Sequence, residues 1–369
     1  MDPESLRASM PALEETAYLN TGASSPSHRR VVEAMTDFLT RHGYEAPTDE
    51  GMYPVAFDAM DATRETVADF VGADGEEIAL TNSTADGISR VAAAIDWEPG
   101  DVVVRTDLEH PAGTLPWDRL ADVADIEVRV VETEGGRLSM DALKDAVADA
   151  RLVTLSSLTW THGTQLPVGQ VVDIAHDAGA QVLVDAVQSP GQVPVDVKRW
   201  GADFVAGAGH KWLMGVWGGG FLYVDSDAIA TLEPRRLSYM GVEEMGGEGY
   251  DFRAGARRFE IGTTSPLPYV GLAEAIDTVE DIGMETIQDH VEPLTARLKE
   301  GLDDEQLLSP ETYESGLVTF RVEDPEATVQ RLAEEGVVVR SLPHPDRAVR
   351  ASVHVFNTAA DIDRLLAGL

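Results

Sequence analysis

Gln181 to Val224 reads QVLVDAVQSPGQVPVDVKRWGADFVAGAGHKWLMGVWGGGFLYV, and this stretch decides the fold. Gln181 to Asp185 is an apolar, strand-like run that ends in a carboxylate. A second run, Ala202 to Ala206, leads into Gly-Ala-Gly-His210-Lys211; after a glycine-rich turn a third run covers Phe221 to Val224. In an open parallel sheet successive strand ends meet at one edge, where ligands bind. Asp185 and Lys211, 26 residues apart (211 − 185), are therefore expected to face one crevice although a crossover separates them.

A lysine and a carboxylate at strand ends suit pyridoxal phosphate (PLP). The amine forms a Schiff base, and the carboxylate keeps the ring nitrogen protonated so that the ring accepts electrons. Lysine scarcity sharpens the point. The chain has four lysines: Lys144, Lys198, Lys211 and Lys299. Lys144 and Lys299 sit in charge-rich helical stretches and read as solvated, as does Lys198 beside Arg199. Lys211 alone lies among glycines and aromatics. By itself that leaves a catalytic and a structural lysine evenly balanced; the pairing with Asp185 favours the first. A phosphate-binding P-loop fails, because Trp212 follows the lysine where Ser or Thr is required.

Asp203-Phe-Val-Ala-Gly-Ala-Gly-His210-Lys211, with Gly218 to Gly220 beyond it, resembles the cofactor-lysine signature of the class V aminotransferase family. That family includes cysteine desulfurases and isopenicillin N epimerase-like proteins. Val184 to Gln188 resembles its ring-binding motif. The resemblance implies an α/β chain of the PLP-dependent transferase fold type I, with a mostly parallel doubly wound sheet. It also implies an N-terminal segment lining the site (1–30), a large PLP-binding domain (31–255) and a small C-terminal α/β domain (256–369). Lys211 and Asp185 become catalytic residues, with Gln188 at the ring's phenolic oxygen and His210 beside the lysine.

Further segments match the same family. Thr81 to Gly87 is a small-residue turn opening a helix, which reads either as a simple N-cap or as an anion site made of free backbone N–H groups. The resemblance makes Ser83, Thr84 and Ala85 phosphate contacts. His110, in Leu108-Glu109-His110, takes the place of the histidine stacked on the ring. Arg258 to Thr264 resembles a turn whose threonine, here Thr263, reaches the phosphate of a neighbouring subunit, implying a homodimer with shared sites. Arg350 resembles the arginine that grips the substrate α-carboxylate bidentately, a task lysine does not perform. Tyr18 to Pro26 resembles a family segment on the substrate side, which implies that Asn20 and Gly22 line the site. Trp160 stands where desulfurases carry asparagine and resembles the epimerase-like branch. Ala208 replaces a phosphate-binding serine. Val339 to Pro345 occupies the place of the desulfurase persulfide cysteine, and the chain has no cysteine at all.

The rest of the chain alternates strand and helix, as a parallel doubly wound sheet requires. Helical periodicity over 31–71 is expected to break at Pro47 and Pro54. Met240 to Gly249 reads as a mobile loop, and Val337 to Arg340 as one strand of the small domain.

At 369 residues with 43% hydrophobic content, this is an ordinary globular chain of about two domains. The net charge of −37, from 65 acidic and 28 basic residues spread along the chain, opposes nucleic acid and anionic membranes and reads as adaptation to high salt. No apolar run approaches a membrane span and no secretory pattern opens the chain, so a cytoplasmic protein is expected. No metal site is expected either. The expected activity is PLP chemistry on an α-amino acid, of epimerase or C–S/β-lyase type. Lys211 would remove the α-proton, and His110 or water would act as second acid because histidine titrates near neutrality. A true aminotransferase and a catalytically silent PLP-binding homologue are the alternatives.

Overall fold

Seven short apolar runs pair into one sheet in the computed structural model, which describes residues 1–245 and 249–369. They are β1 (Ile78–Thr81), β2 (Val102–Thr106), β3 (Glu127–Val131), β4 (Ala150–Ser156), β5 (Gln181–Asp185), β6 (Phe204–Ala208) and β7 (Gly220–Val224), in the spatial order β1-β7-β6-β5-β4-β2-β3. β7 runs antiparallel to both its neighbours and the other pairings are parallel, so the sheet is mostly parallel as expected. Helices cover it on both sides, which is why β4 to β7 are almost wholly apolar and buried rather than alternating.

Local sequence explains the helix boundaries. The helix Arg29–Thr40 ends before Pro47, but Pro54 breaks nothing: it lies in the first turn of the helix Met52–Val71, where a missing N–H costs no hydrogen bond. Gly72, in the left-handed conformation, closes that helix. The helix is tied to β1 by a buried ion pair. Arg64 bonds Glu260 at 3.0 Å, and Glu260 also accepts from the backbone N–H of Leu80 at 2.9 Å. Both acid and base are thus compensated, and the strand end that carries Ser83 is anchored.

The helix Leu267–Ile282 packs against Arg29–Thr40 and Met52–Val71; packing partners change at Gly283, since Met284–Glu300 lies on Leu317–Arg321 and on the helix Ala359–Ala367. The C-terminal sheet has three antiparallel strands, with Ala348–Ser352 between Leu317–Arg321 and Arg340–Leu342. The single strand expected over 337–340 is split. Val337–Val338 pairs instead, in parallel, with Ala17–Tyr18, while Arg340 begins the separate strand. The N-terminal segment therefore rides on the C-terminal sheet, and Arg7 pairs with Asp361 at 2.9 Å.

The stretch 240–249, expected to be a loop, contains residues 246–248, which lie outside the described residues. On either side, Val242–Met245 and Tyr250–Phe252 pair as antiparallel strands.

Candidate active site

The carboxyl ends of β4, β5 and β6 and the amino end of the helix Thr84–Ala94 converge on a cavity of about 190 Å³. Ser83, Thr84, Ala85, His110, Trp160, Asp185, Gln188, His210 and Lys211 line it, as do Ser156, Ala112 and Val187. The sheet thus brings Lys211 and Asp185 together in the way their spacing implied.

Asp185 ends β5, buried, with its Oδ1 accepting the N–H of Val187 at 3.0 Å. Burial pushes its pKa up, opposed by that N–H and by the charge of Lys211. The Lys211 ammonium is pulled down to about 7: loss of hydration dominates, Asp185 opposes it, and Arg350 and Arg340 add repulsion. A neutral, nucleophilic amine is therefore available near neutral pH. The other lysines have ordinary work. Lys144 is exposed, Lys198 is partly exposed and pairs with Glu77 and Asp225, and Lys299 is half-buried, donating to the Thr312 carbonyl at 3.0 Å.

Gln188 is held at both ends of its amide. Its Oε1 accepts the Trp212 indole N–H at 2.7 Å and its Nε2 donates to the Gly22 carbonyl at 3.0 Å. Trp212, the residue that argued against a P-loop, fixes the side chain expected at the ring oxygen. Gly22 is required by packing: a Cβ there would stand 2.8 Å from Leu317 and 3.0 Å from an Arg350 nitrogen.

Ser83 caps the helix Thr84–Ala94, its Oγ accepting from the Asp86 N–H at 3.1 Å. Gly87 lets this helix press onto β6, since a Cβ there would meet Ala206 at 3.1 Å. The helix amino end consequently faces the cavity, and the buried Thr84 Oγ1 has no hydrogen-bond partner among the described residues. The N-cap reading holds, and it leaves the helix amino end turned to the cavity as an anion site would need.

His110 requires a correction. Its Nδ1 accepts from the Ala112 N–H at 3.2 Å, and its ring meets Trp160 edge-on at 5.2 Å between centroids. Burial, with the charges of Lys211, Arg340 and Arg350, pulls its pKa to about 4 rather than leaving it near neutrality. At neutral pH it is an uncharged ring carrying its hydrogen on Nε2, not an imidazolium acid. His210, also lowered to about 4 by burial, leans against Trp217 at 5.5 Å.

Arg350 lies just behind Trp160, fully buried, and donates from Nη1 to the Trp160 carbonyl at 2.7 Å. Its Nε and Nη2 have no partner among the described residues. Asn20 bridges Ser352, two residues on, and its Oδ1 is likewise buried and unpartnered. Ala208 is buried in β6 opposite Gly220, so no hydroxyl is supplied there. Thr263 does not reach this cavity. It is exposed, hydrogen-bonded to the Tyr239 hydroxyl at 2.7 Å, and lines a second, apolar cavity with Met52, Tyr53, Phe57, Met60 and Met240.

Three participants escaped the sequence reading. Ser156 ends β4 directly opposite Asp185, and its position at a strand end was the available signal. Glu109 accepts from the Ser156 hydroxyl at 2.7 Å and the Thr106 hydroxyl at 2.7 Å, and burial pushes it up to about 7. Arg340 acts on Lys211, His110 and Arg350 through its charge. Among the described residues no cluster of acids and histidines could hold a metal ion.

These groups fit PLP. Asp185 suits the ring nitrogen, Gln188 the phenolic oxygen, the Ser83–Ala85 turn the phosphate, and Lys211 the aldehyde. The orphaned Thr84 hydroxyl is what such a ligand would satisfy, and a protonated ring nitrogen would offset the burial that pushes Asp185 up.

A family profile described as aminotransferase class-V matches residues 17–365. The chain is 34% identical to a probable cysteine desulfurase of Methanothermobacter thermautotrophicus, over 99% of this chain and 96% of that one. It is 31% identical to a cysteine desulfurase of Haloferax volcanii, over 99% and 96%. Among solved structures, apo cysteine desulfurase from Thermococcus onnurineus superposes with a TM-score of 0.93 at 31% identity, covering 100% of this chain and 97% of that one. The cystine C–S lyase C-DES, bound to its product cysteine persulfide, gives 0.91 at 27% identity, covering 97% and 98%. A second C-DES structure carries glycine covalently linked to PLP. Pyridoxal phosphate is thus the cofactor of this fold, and the chain belongs to the class V aminotransferase family.

Proposed function

We propose that this protein cleaves the C–S bond of a sulfur-containing α-amino acid by β-elimination, using PLP and no protein thiol. The observation that carries the reading is a cavity lined by Lys211, Asp185 and Gln188, with Arg350 bonded to the carbonyl of Trp160 at its wall, in a chain without cysteine. A sulfur relay needs a thiolate to attack the substrate sulfur. Elimination needs only a base and an electron sink. The similarity to a C–S lyase structure supports the choice.

When bound, PLP supplies the electron sink that acidifies the α-proton. The unpartnered Nε and Nη2 of Arg350 would take the α-carboxylate as a fork, while Nη1 remains on the Trp160 carbonyl. Lys211, with a pKa near 7, accepts the α-proton at Nζ. The Cα–H electrons form the Cα–Cβ double bond as the C–S pair departs with sulfur; the thiolate takes up one proton. Hydrolysis of the remaining fragment yields pyruvate and ammonia, so one water is consumed and nothing is oxidised. His110, uncharged and braced by Ala112 and Trp160, walls the cavity and excludes water.

Epimerisation is a second reading, because it shares the proton removal at Cα and differs only in the absence of a leaving group. Homodimeric assembly belongs to the same proposal, supported by the position of Thr263 away from its own cavity. The test is to incubate holoenzyme with S-alkyl cysteines and measure pyruvate, ammonia and thiol. Equimolar release is expected. Stoichiometric pyridoxamine phosphate, reversed by an oxo acid, would instead establish a transaminase; Cα deuterium exchange without release would establish the epimerase reading.

A further inference from the structure

Arg350 occupies the middle strand of the C-terminal sheet, with Thr319 directly opposite on one side and Arg340 directly opposite on the other. Residues opposite one another in antiparallel strands project from the same face, with Cβ atoms about 4.5–5.5 Å apart. The direction of that face is fixed by two hydrogen bonds. Thr319 Oγ1 donates to the Thr161 carbonyl at 2.6 Å, and Arg350 Nη1 donates to the Trp160 carbonyl at 2.7 Å. Arg340 therefore stands on the face turned toward Trp160, at the side of the Lys211 cavity.

Two like charges directly opposite one another destabilise a sheet. Among the described residues no carboxylate pairs with either of them. Other arginines such as Arg7, Arg64 and Arg137 are bound to carboxylates, yet among the described residues neither Arg340 nor Arg350 makes an ion pair, in a chain with 65 acidic residues. Arg350 is completely buried with two unpartnered nitrogens, whereas Arg340 is exposed. The repulsion is also felt at the reacting groups, since Arg340 adds to the lowering of Lys211 and His110. A cost of this kind at a site edge is removed by an anionic ligand that spans both groups.

Resting on the function proposed above, we infer that Arg340 and Arg350 form a two-guanidinium site for a dianionic substrate, an α-amino acid whose side chain bears a second carboxylate. Arg350 takes the α-carboxylate and the more exposed Arg340 the distal one. Within C–S cleavage this selects cysteine S-conjugates that end in a carboxylate over those that end in an alkyl group.

The experiment titrates holoenzyme with S-carboxymethylcysteine and with S-propylcysteine, close in length, following the visible band of the cofactor at one fixed salt concentration. The wild type is expected to bind the carboxylated ligand about tenfold or more tightly, the usual worth of a charge-assisted hydrogen-bonded contact. Arg340→Gln should cut the ratio of the two affinities to less than about twofold, whatever shift the lost charge causes in both ligands alike through Lys211, and Arg340→Lys should restore part of the ratio. Equal effects of Arg340→Gln on both ligands, or no preference in the wild type, overturn the inference and leave C–S cleavage intact. No response of the band to either ligand overturns the proposed function, and the inference with it.

Discussion

The Trp212 indole N–H donates to Gln188 Oε1 at 2.7 Å, and both side chains are buried, so the residue after Lys211 orients an amide that lines the same cavity. Removing one partner strands the other without water. Trp212→Phe is expected to destabilise the fold by about 1–3 kcal/mol through the orphaned acceptor. In the double variant Trp212→Phe/Gln188→Leu that orphan is gone, so the losses should be clearly less than additive. Denaturant unfolding of the four proteins in the cycle measures this, and strict additivity would show the bond to be energetically idle.

Lys211 is the proposed cofactor lysine. Its amine has a pKa of about 7 in the folded chain against 10.5 ordinarily, so about half is neutral at pH 7. Covalent capture of PLP by apo protein should rise with pH through a midpoint near 7 and level off above it. The sign for stability is the same: protonating a buried amine costs the folded state fully below about pH 7, and that cost fades as pH rises to 10.5. Borohydride reduction of holoprotein should tag the peptide holding Lys211. A tag on Lys144, Lys198 or Lys299, or a capture midpoint near 10, contradicts the assignment.

Thr263 stands beside an apolar cavity of about 250 Å³ whose rim includes Tyr53, 60% exposed. If the partner subunit's phosphate site needs it, Thr263→Ala should weaken PLP retention about tenfold while leaving the monomer fold unchanged. Sedimentation at molar salt should give a dimer. A monomer that retains PLP fully rules this arrangement out.

Charge of −37 spread over the surface repels itself unless screened. The melting temperature is expected to fall when salt is lowered from about 2 M to about 0.1 M, as the Debye length grows from a few ångströms to about 10 Å. An unchanged or higher melting temperature at low salt would show that the acidic surface is tolerated without screening.

Much of the site was legible because its cues are local. An apolar run ending in Asp185, a lysine among glycines, and a Ser-Thr step opening a helix each declare a strand end or helix start within a few residues, and the parallel crossover rule then puts such ends on one edge. Arg350 and Thr263 were named through resemblance alone, and Thr263 lies at another cavity; nothing nearby in sequence marks either.

What the tertiary structure alone decided depends on long-range register and burial. Arg340 comes opposite Arg350 because the chain folds back between two antiparallel strands, and a one-residue slip would turn it to the other face. The antiparallel course of β7, the splitting of Val337–Val338 from Arg340, and Ser156 beside Asp185 are likewise facts of strand pairing between distant segments. His110 looked like an acid poised at neutrality, but its environment makes it a neutral ring, since desolvation and three distant cations set its titration. Side-chain chemistry and the places where elements begin and end are written locally in this chain; register, burial and the electrostatics that follow from them are summed over the whole fold.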